Sequence, residues 1–198
     1  MRNPFNVFID DFEAEAEAFL RKYQCEDAIE NPRRIPIRDI ATRLMSLEVV
    51  QSECLSMDGS VQGAISFTKG VVDVYDWTSG QQIGYQVDNP AIFIDSDITN
   101  EGRVNNTLSH ECFHWYKHRN YFTFKRTHEN SAEFGLRCDK NIGKSGDPSE
   151  QCSDVARMEW QAKTIAPKIL MPRKATIKKI DQLYNDRIRA GGNPAGLL

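Results

Sequence analysis

The chain has few cysteines, and they are not arranged as in a disulfide scaffold. Its 5 cysteines in 198 residues are an odd number without a Cys-x-x-Cys pair, which fits a reducing compartment. Cys138 and Cys152 flank a loop and could pair or bind metal. The N-terminus carries no secretory signal, and no apolar run approaches the roughly 18 residues that a membrane span requires. We therefore expect a cytoplasmic protein without membrane association.

The chain also lacks a strong charge of either sign. Its 25 Lys and Arg residues nearly balance 28 Asp and Glu residues, for a net charge of −3, so we expect no direct nucleic-acid binding. Acidic residues are concentrated in 10–17 and basic residues in 163–189. This pattern is typical of two solvated helix faces, and the alternative is a basic surface that steers an acidic partner.

Hydrophobic periodicity predicts helices separated by a block of strands, which is the pattern of an α+β fold. The predicted helices cover 6–23, 37–47, a stretch that begins near Thr99 or Asn100, another that begins near Ser153 or Asp154, and 174–189. The predicted strands are 48–50, 64–68, 71–77 and 91–94. Of these, 91–94 is the candidate for pairing with an extended peptide, because it directly precedes the third helix.

The third predicted helix contains the sequence His110-Glu111-Cys112-Phe113-His114, an HExxH motif. Residues four apart lie on one face of an α-helix, so the two imidazoles can bind one metal ion with the glutamate beside them. With 4 histidines in 198 residues, a random order would produce about 0.005 such matches. The motif therefore predicts a hydrolytic zinc site in which Glu111 accepts a proton from water.

A hydrolytic zinc site usually takes a third protein ligand. His118 does not suit this role, because eight residues separate it from His110, or about 12 Å along a straight helix. We expect His118 to line the cleft or to be exposed. Glu159 is the best candidate, because Ala162 and Ala166 on the same face let its helix approach the motif helix closely. The competing carboxylates are Glu129, Glu133, Glu150 and Asp154.

Two segments together resemble the ImmA/IrrE family of metallopeptidases. They are HECFHWYKH and MEWQAKTIAPKILMP, and the similar region covers roughly 35–172. The resemblance implies zinc ligands at His110, His114 and Glu159 and a catalytic base at Glu111. It also implies a zincin-like domain, in which a small mixed or antiparallel sheet packs on the motif helix beside a second ligand-bearing helix.

The expected organisation is an N-terminal helical segment at 1–34, a metallopeptidase domain at 35–190 and a tail at 191–198. Three features depart from the family pattern: a long insertion at 129–153, Lys163 in place of a common Asn, and a short C-terminal region, which suggests a truncated chain.

We expect a zinc-dependent endopeptidase with one Zn²⁺ per chain, although Mn²⁺ or Fe²⁺ could occupy the same ligands. The resemblance implies a helix-turn-helix repressor of a mobile element, phage or stress response as the substrate. The alternatives are a non-catalytic module that sequesters such a repressor, a general peptidase, or a structural zinc domain. A residue that stabilises the transition state should also exist, and the candidates are Tyr116, His118, Tyr121 and His128.

Overall fold

The computed structural model describes residues 9, 11–129, 135–139 and 153–191. Its helices and small sheets confirm the α+β class. No helix within these ranges is both long and apolar enough to cross a membrane.

Within the described ranges, three helical segments precede the first strand, four helices follow the fifth strand, and the sixth strand lies between the second and third of those four helices. The first three are α1 (Phe12–Lys22), α2 (Asp27–Glu30) and α3 (Ile37–Asp39), the last of which continues as a π-helical turn, Ile40–Leu44. The strands are β1 (Glu48–Val50), β2 (Val61–Ser66), β3 (Gly70–Asp76), β4 (Gln81–Val87), β5 (Ala91–Ile94) and β6 (Gly135–Asp139). The remaining helices are α4 (Glu101–Phe113), α5 (Arg119–Glu129), α6 (Asp154–Leu170) and α7 (Arg173–Arg189), and a second π-helical turn, His114–His118, joins α4 to α5.

Side-chain caps explain where the long helices begin. Asp11, Asn100 and Ser153 each accept hydrogen bonds from backbone N–H groups in the first turn of α1, α4 and α6. The predicted starts near Asn100 and Ser153 are therefore confirmed. Pro167 lies inside α6 without ending it, and the helix stops at Leu170, before Met171-Pro172.

The four-stranded sheet has the order β1-β5-β2-β6, while β3 and β4 form a separate antiparallel hairpin. Strand β5 pairs in parallel with β1 on one side and antiparallel with β2 on the other. The prediction that 91–94 receives an extended peptide is therefore wrong, because both backbone edges of Ala91–Ile94 are already paired. Strand β4 was not predicted, and β6 arises within the segment expected to be an irregular insertion.

One hydrophobic cluster joins the N-terminal helix to the helices that follow the strands. Phe19 and Leu20 of α1 are fully buried together with Leu108 of α4 and Ile165 of α6. Segment 1–34 thus contributes, through α1, to the same core as the remainder of the described chain. The expected division at residue 34 does not correspond to a separate core.

Candidate metal centre

Helix α4 and the π-helical turn that follows it carry the motif into the interior of the protein. His110, Glu111 and His114 are all buried, and Glu111 and His114 have no exposed surface. The π-helical turn begins at His114, the second histidine of the motif. Such turns are rare interruptions of α-helices and occur frequently at functional sites.

Helix α6 brings Glu159 to both histidines. Its Oε2 lies 3.3 Å from His110 Nε2, and its Oε1 lies 3.3 Å from His114 Nε2. Ala162 and Ala166 are completely buried on α6, and Ser109 of α4 donates a hydrogen bond of 3.2 Å to the Ala166 carbonyl. Small residues at this contact therefore allow the two helices to approach closely enough for Glu159 to reach the motif.

The spacing of these atoms suits a metal ion. His110 Nε2 and His114 Nε2 are 3.0 Å apart, and each is 3.3 Å from a Glu159 oxygen. Tetrahedral zinc with bonds near 2.1 Å requires ligand atoms about 3.4 Å apart. Both oxygens of Glu159 are buried and have no hydrogen-bond partner in the described chain, although cations would satisfy them. The buried His110–Glu111–His114 group could hold a metal ion, and Glu159 borders it.

Glu111 has a different environment from Glu159. Both of its oxygens are buried without a hydrogen-bond partner among the described residues. Burial raises its pKa well above the usual range, and the neighbouring Glu159 charge raises it further. Strand β2 lies directly against it: a Cβ atom added to Gly63 would be 2.7 Å from Glu111 Oε1. Sequence reasoning missed Gly63, because the predicted strand began at residue 64, whereas the observed strand β2 includes Gly63.

Burial also sets the ionisation of the histidine cluster. It lowers the pKa of His110 to about 4, which outweighs the opposing effect of the Glu159 carboxylate. Burial alone would raise the pKa of Glu159, but His114 and His110 together hold it below its ordinary value. A neutral imidazole beside an ionised carboxylate is the state in which both groups can bind a metal ion.

His118 is buried behind the motif, so the expectation that it might be exposed is wrong. Its Nδ1 lies 2.9 Å from His114 Nδ1, and its Nε2 lies 3.0 Å from Gln161 Oε1. Burial lowers its pKa well below the ordinary range, and the neighbouring His114 adds to this effect. Sequence reasoning missed the role of Gln161, which is buried on α6 together with Glu159.

The other candidates for transition-state stabilisation have different surroundings. The Tyr116 ring packs edge-on against Phe19 of α1, 5.4 Å between centroids, and lies 6.2 Å from the Tyr23 ring. The Tyr121 hydroxyl donates to Asp154 Oδ2 at 3.4 Å. These contacts direct Tyr116 toward α1 and Tyr121 toward the start of α6. The side chain of His128 lies outside the described residues.

Of the other candidate ligands, Cys112 and Asp154 have described side chains, and neither belongs to the group that could hold a metal ion. Cys112 is fully buried in the hydrophobic core and is a free thiol, as expected for a packing residue. Asp154 contacts Tyr121, as described above. Cys152, Glu133 and Glu150 lie outside the described residues, as do the side chains of Cys138 and Glu129.

Comparisons with protein-family models, with curated proteins and with solved structures found no match to this chain. The site must therefore be interpreted from its own geometry and chemistry.

Proposed function

We propose that the protein is a zinc-dependent endopeptidase with His110, His114 and Glu159 as metal ligands and Glu111 as the catalytic base. The observation that carries this proposal is a pair of imidazole nitrogens 3.0 Å apart, each of which lies 3.3 Å from one oxygen of Glu159. Two imidazoles and one carboxylate are a known ligand set of catalytic zinc in peptidases. The fold is then a zincin-like domain of the ImmA/IrrE type.

The assignment of Glu159 rather than Glu111 as the third ligand rests on distance and role. Glu159 approaches both imidazoles at 3.3 Å. Glu111 lies between the two histidines in sequence, and burial raises the pKa of its carboxyl group, which makes the carboxylate a stronger proton acceptor. Zinc bound by this set supplies Lewis acidity to water and to the scissile carbonyl. Glu111 takes the proton from the attacking water and passes it to the leaving amine.

The proposed substrate is a helix-turn-helix repressor, which follows from the resemblance. We expect the cut segment to be a loop or to unfold locally, because a peptide bond inside a folded helix is not exposed to attack. Pairing with Ala91–Ile94 is excluded, since β5 is an interior strand.

The basic stretch 163–189 gives only limited support for an acidic partner. Lys168 pairs with Glu13 of α1, and Lys174 pairs with Glu30 of α2 at 2.7 Å. Part of the positive charge is therefore neutralised within the chain. We expect any electrostatic contribution to partner binding to be modest and sensitive to salt.

The test combines metal analysis with a cleavage assay. Purified protein loaded with Zn²⁺ is mixed with a repressor encoded beside its gene, and the products are followed by mass spectrometry. Glu111→Gln should retain zinc and fold but lose at least about a hundredfold in cleavage rate. His114→Ala should lose both zinc and activity. A normal rate for Glu111→Gln would refute the mechanism.

Two further outcomes separate the alternatives. Stable binding of the repressor without cleavage, by zinc-loaded protein, would indicate a sequestering module. Cleavage of arbitrary unfolded proteins at similar rates would indicate a general peptidase. Tightly bound zinc without either activity would indicate a structural site.

A further inference from the structure

A chain of hydrogen-bonded side chains begins at the imidazole ring of His114 and continues through His118 to Gln161. His114 Nδ1 lies 2.9 Å from His118 Nδ1, and His118 Nε2 lies 3.0 Å from Gln161 Oε1. All three side chains are buried. In a neutral imidazole one ring nitrogen donates and the other accepts, so the proton positions along this chain depend on one another.

The Gln161 carbonyl oxygen sets the direction of the whole chain. An amide oxygen only accepts, so the proton of neutral His118 must be on Nε2. His118 Nδ1 then accepts a hydrogen bond from the Nδ1–H group of His114. As a result, His114 Nε2 carries a lone pair, and this is the atom 3.0 Å from His110 Nε2 and 3.3 Å from Glu159.

The opposite orientation of the Gln161 amide would exchange donor and acceptor in both hydrogen bonds. If the Gln161 NH₂ group faced His118, His118 would donate from Nδ1, and His114 would carry its proton on Nε2. That tautomer has no lone pair on the metal-facing atom and cannot bind a cation. The choice between a binding and a non-binding His114 therefore depends on a glutamine on a different helix.

We propose that His118 and Gln161 are positioning residues that hold His114 in its metal-binding tautomer. The inference rests on the metal centre proposed above. Metal-binding histidines usually donate their second N–H group to a carboxylate, a backbone carbonyl or water. Here a second histidine, His118, accepts that hydrogen bond. The Gln161 amide oxygen fixes which nitrogen of His118 is the acceptor. The π-helical turn at His114–His118 contains both histidines of this hydrogen-bonded chain.

The first experiment reads the tautomers directly in the metal-free protein. Two-dimensional NMR of ¹⁵N-labelled imidazoles distinguishes a proton on Nδ1 from one on Nε2. We expect His114 to be protonated on Nδ1 and His118 on Nε2. The reverse pattern, or an equal mixture at either ring, would overturn the proposal. This measurement does not require metal binding or activity, so it remains informative even if the proposed peptidase function fails.

The second experiment measures the affinity for Zn²⁺ by competition with a chromophoric chelator. Gln161→Leu removes the acceptor at similar volume and should weaken Zn²⁺ binding about 10- to 100-fold. Gln161→Glu keeps an accepting oxygen and should remain within a few-fold of the wild type. Ile165→Val is the control, because it is a buried change on α6 without a polar contact.

The outcomes are distinct for the proposal and for the metal centre. Wild-type affinity in Gln161→Leu would overturn the positioning role, and so would equal losses in Gln161→Leu, Gln161→Glu and Ile165→Val. Absence of Zn²⁺ binding in the wild type, with the expected tautomers, would refute the metal centre and leave the hydrogen-bond chain intact. If Gln161→Leu fails to fold, the wild-type tautomers still decide the proposal.

Discussion

Gly63 offers a way to move the proposed catalytic base without changing the proposed metal ligands. A Cβ atom at this position would lie 2.7 Å from Glu111 Oε1 and 2.6 Å from Thr107 Cγ2. Ordinary contacts begin near 3.4 Å, so in Gly63→Ala the carboxylate must retreat by about 0.7 Å. No hydrogen bond within the described chain holds the Glu111 oxygens, so we expect this side chain to yield rather than the strand.

The expected result is a large loss of activity with a small loss of stability. Displacements near 1 Å at a reacting group cost about 100-fold in rate, so Gly63→Ala should lose roughly 10- to 100-fold in kcat. Overpacking should lower the free energy of unfolding by about 1–3 kcal/mol. Zinc affinity should stay within a few-fold of wild type, because the proposed ligands lie on α4, the π-helical turn and α6 rather than on β2.

Gly84→Ala is the matched control for this experiment. Its Cβ atom would lie 2.6 Å from Val71 Cγ1, a similar overlap in the β3–β4 hairpin. Urea unfolding, zinc competition and the rate of repressor cleavage should be measured for both variants. Wild-type cleavage by a folded Gly63→Ala, or an equal loss in Gly84→Ala, would refute the reasoning that β2 positions Glu111.

Three other predictions test the centre and its supports. Glu159→Gln should weaken zinc binding at least about a hundredfold, because loss of a direct ligand should cost more affinity than loss of a residue that only positions a ligand. Chelator competition measures this affinity, and an unchanged value would exclude Glu159 as a ligand. Cys112, whose pKa is raised by burial and by the neighbouring Glu111, should resist iodoacetamide until the protein unfolds, and mass spectrometry of labelled peptides would detect any earlier reaction. The buried Leu55 N–H group donates a hydrogen bond of 2.7 Å to Asp95 Oδ2. Asp95→Ala removes this acceptor and should lower the free energy of unfolding by about 1–3 kcal/mol in urea titrations. A loss below about 0.5 kcal/mol would contradict this expectation.

The sequence predicted the groups of the centre because their spacing is a local property of helices. His110 and His114 face the same side at a four-residue interval, and the small residues Ala162 and Ala166 indicated where a second helix could approach. Glu159 then followed from one assumption about helix packing. The structure brings these groups within 3.3 Å of one another. Their role as metal ligands stays a prediction.

The surroundings of the centre were harder to predict, because they depend on departures from regular geometry and on long-range contacts. A straight helix left open whether His118 is buried or exposed, and no sequence feature indicated the π-helical turn that contains both His114 and His118. The polar partner, Gln161, is 43 residues from His118 in sequence. Likewise, Gly63 reaches Glu111 only because β2 crosses α4, and nothing local to either segment encodes that contact.

The strand at 91–94 was predicted with its observed bounds, and only its role as the partner of an extended peptide was wrong. Strand β5 has the sequence Ala-Ile-Phe-Ile, and all four residues are completely buried. A continuous apolar run of this kind is typical of a strand that is covered on both faces. By contrast, β4 has the sequence Gln-Gln-Ile-Gly-Tyr-Gln-Val and is largely exposed, as a strand of a peripheral hairpin can be. Composition therefore predicts that both faces of 91–94 are covered, whereas the pairing of both its edges depends on the positions of β1 and β2, which are distant in sequence.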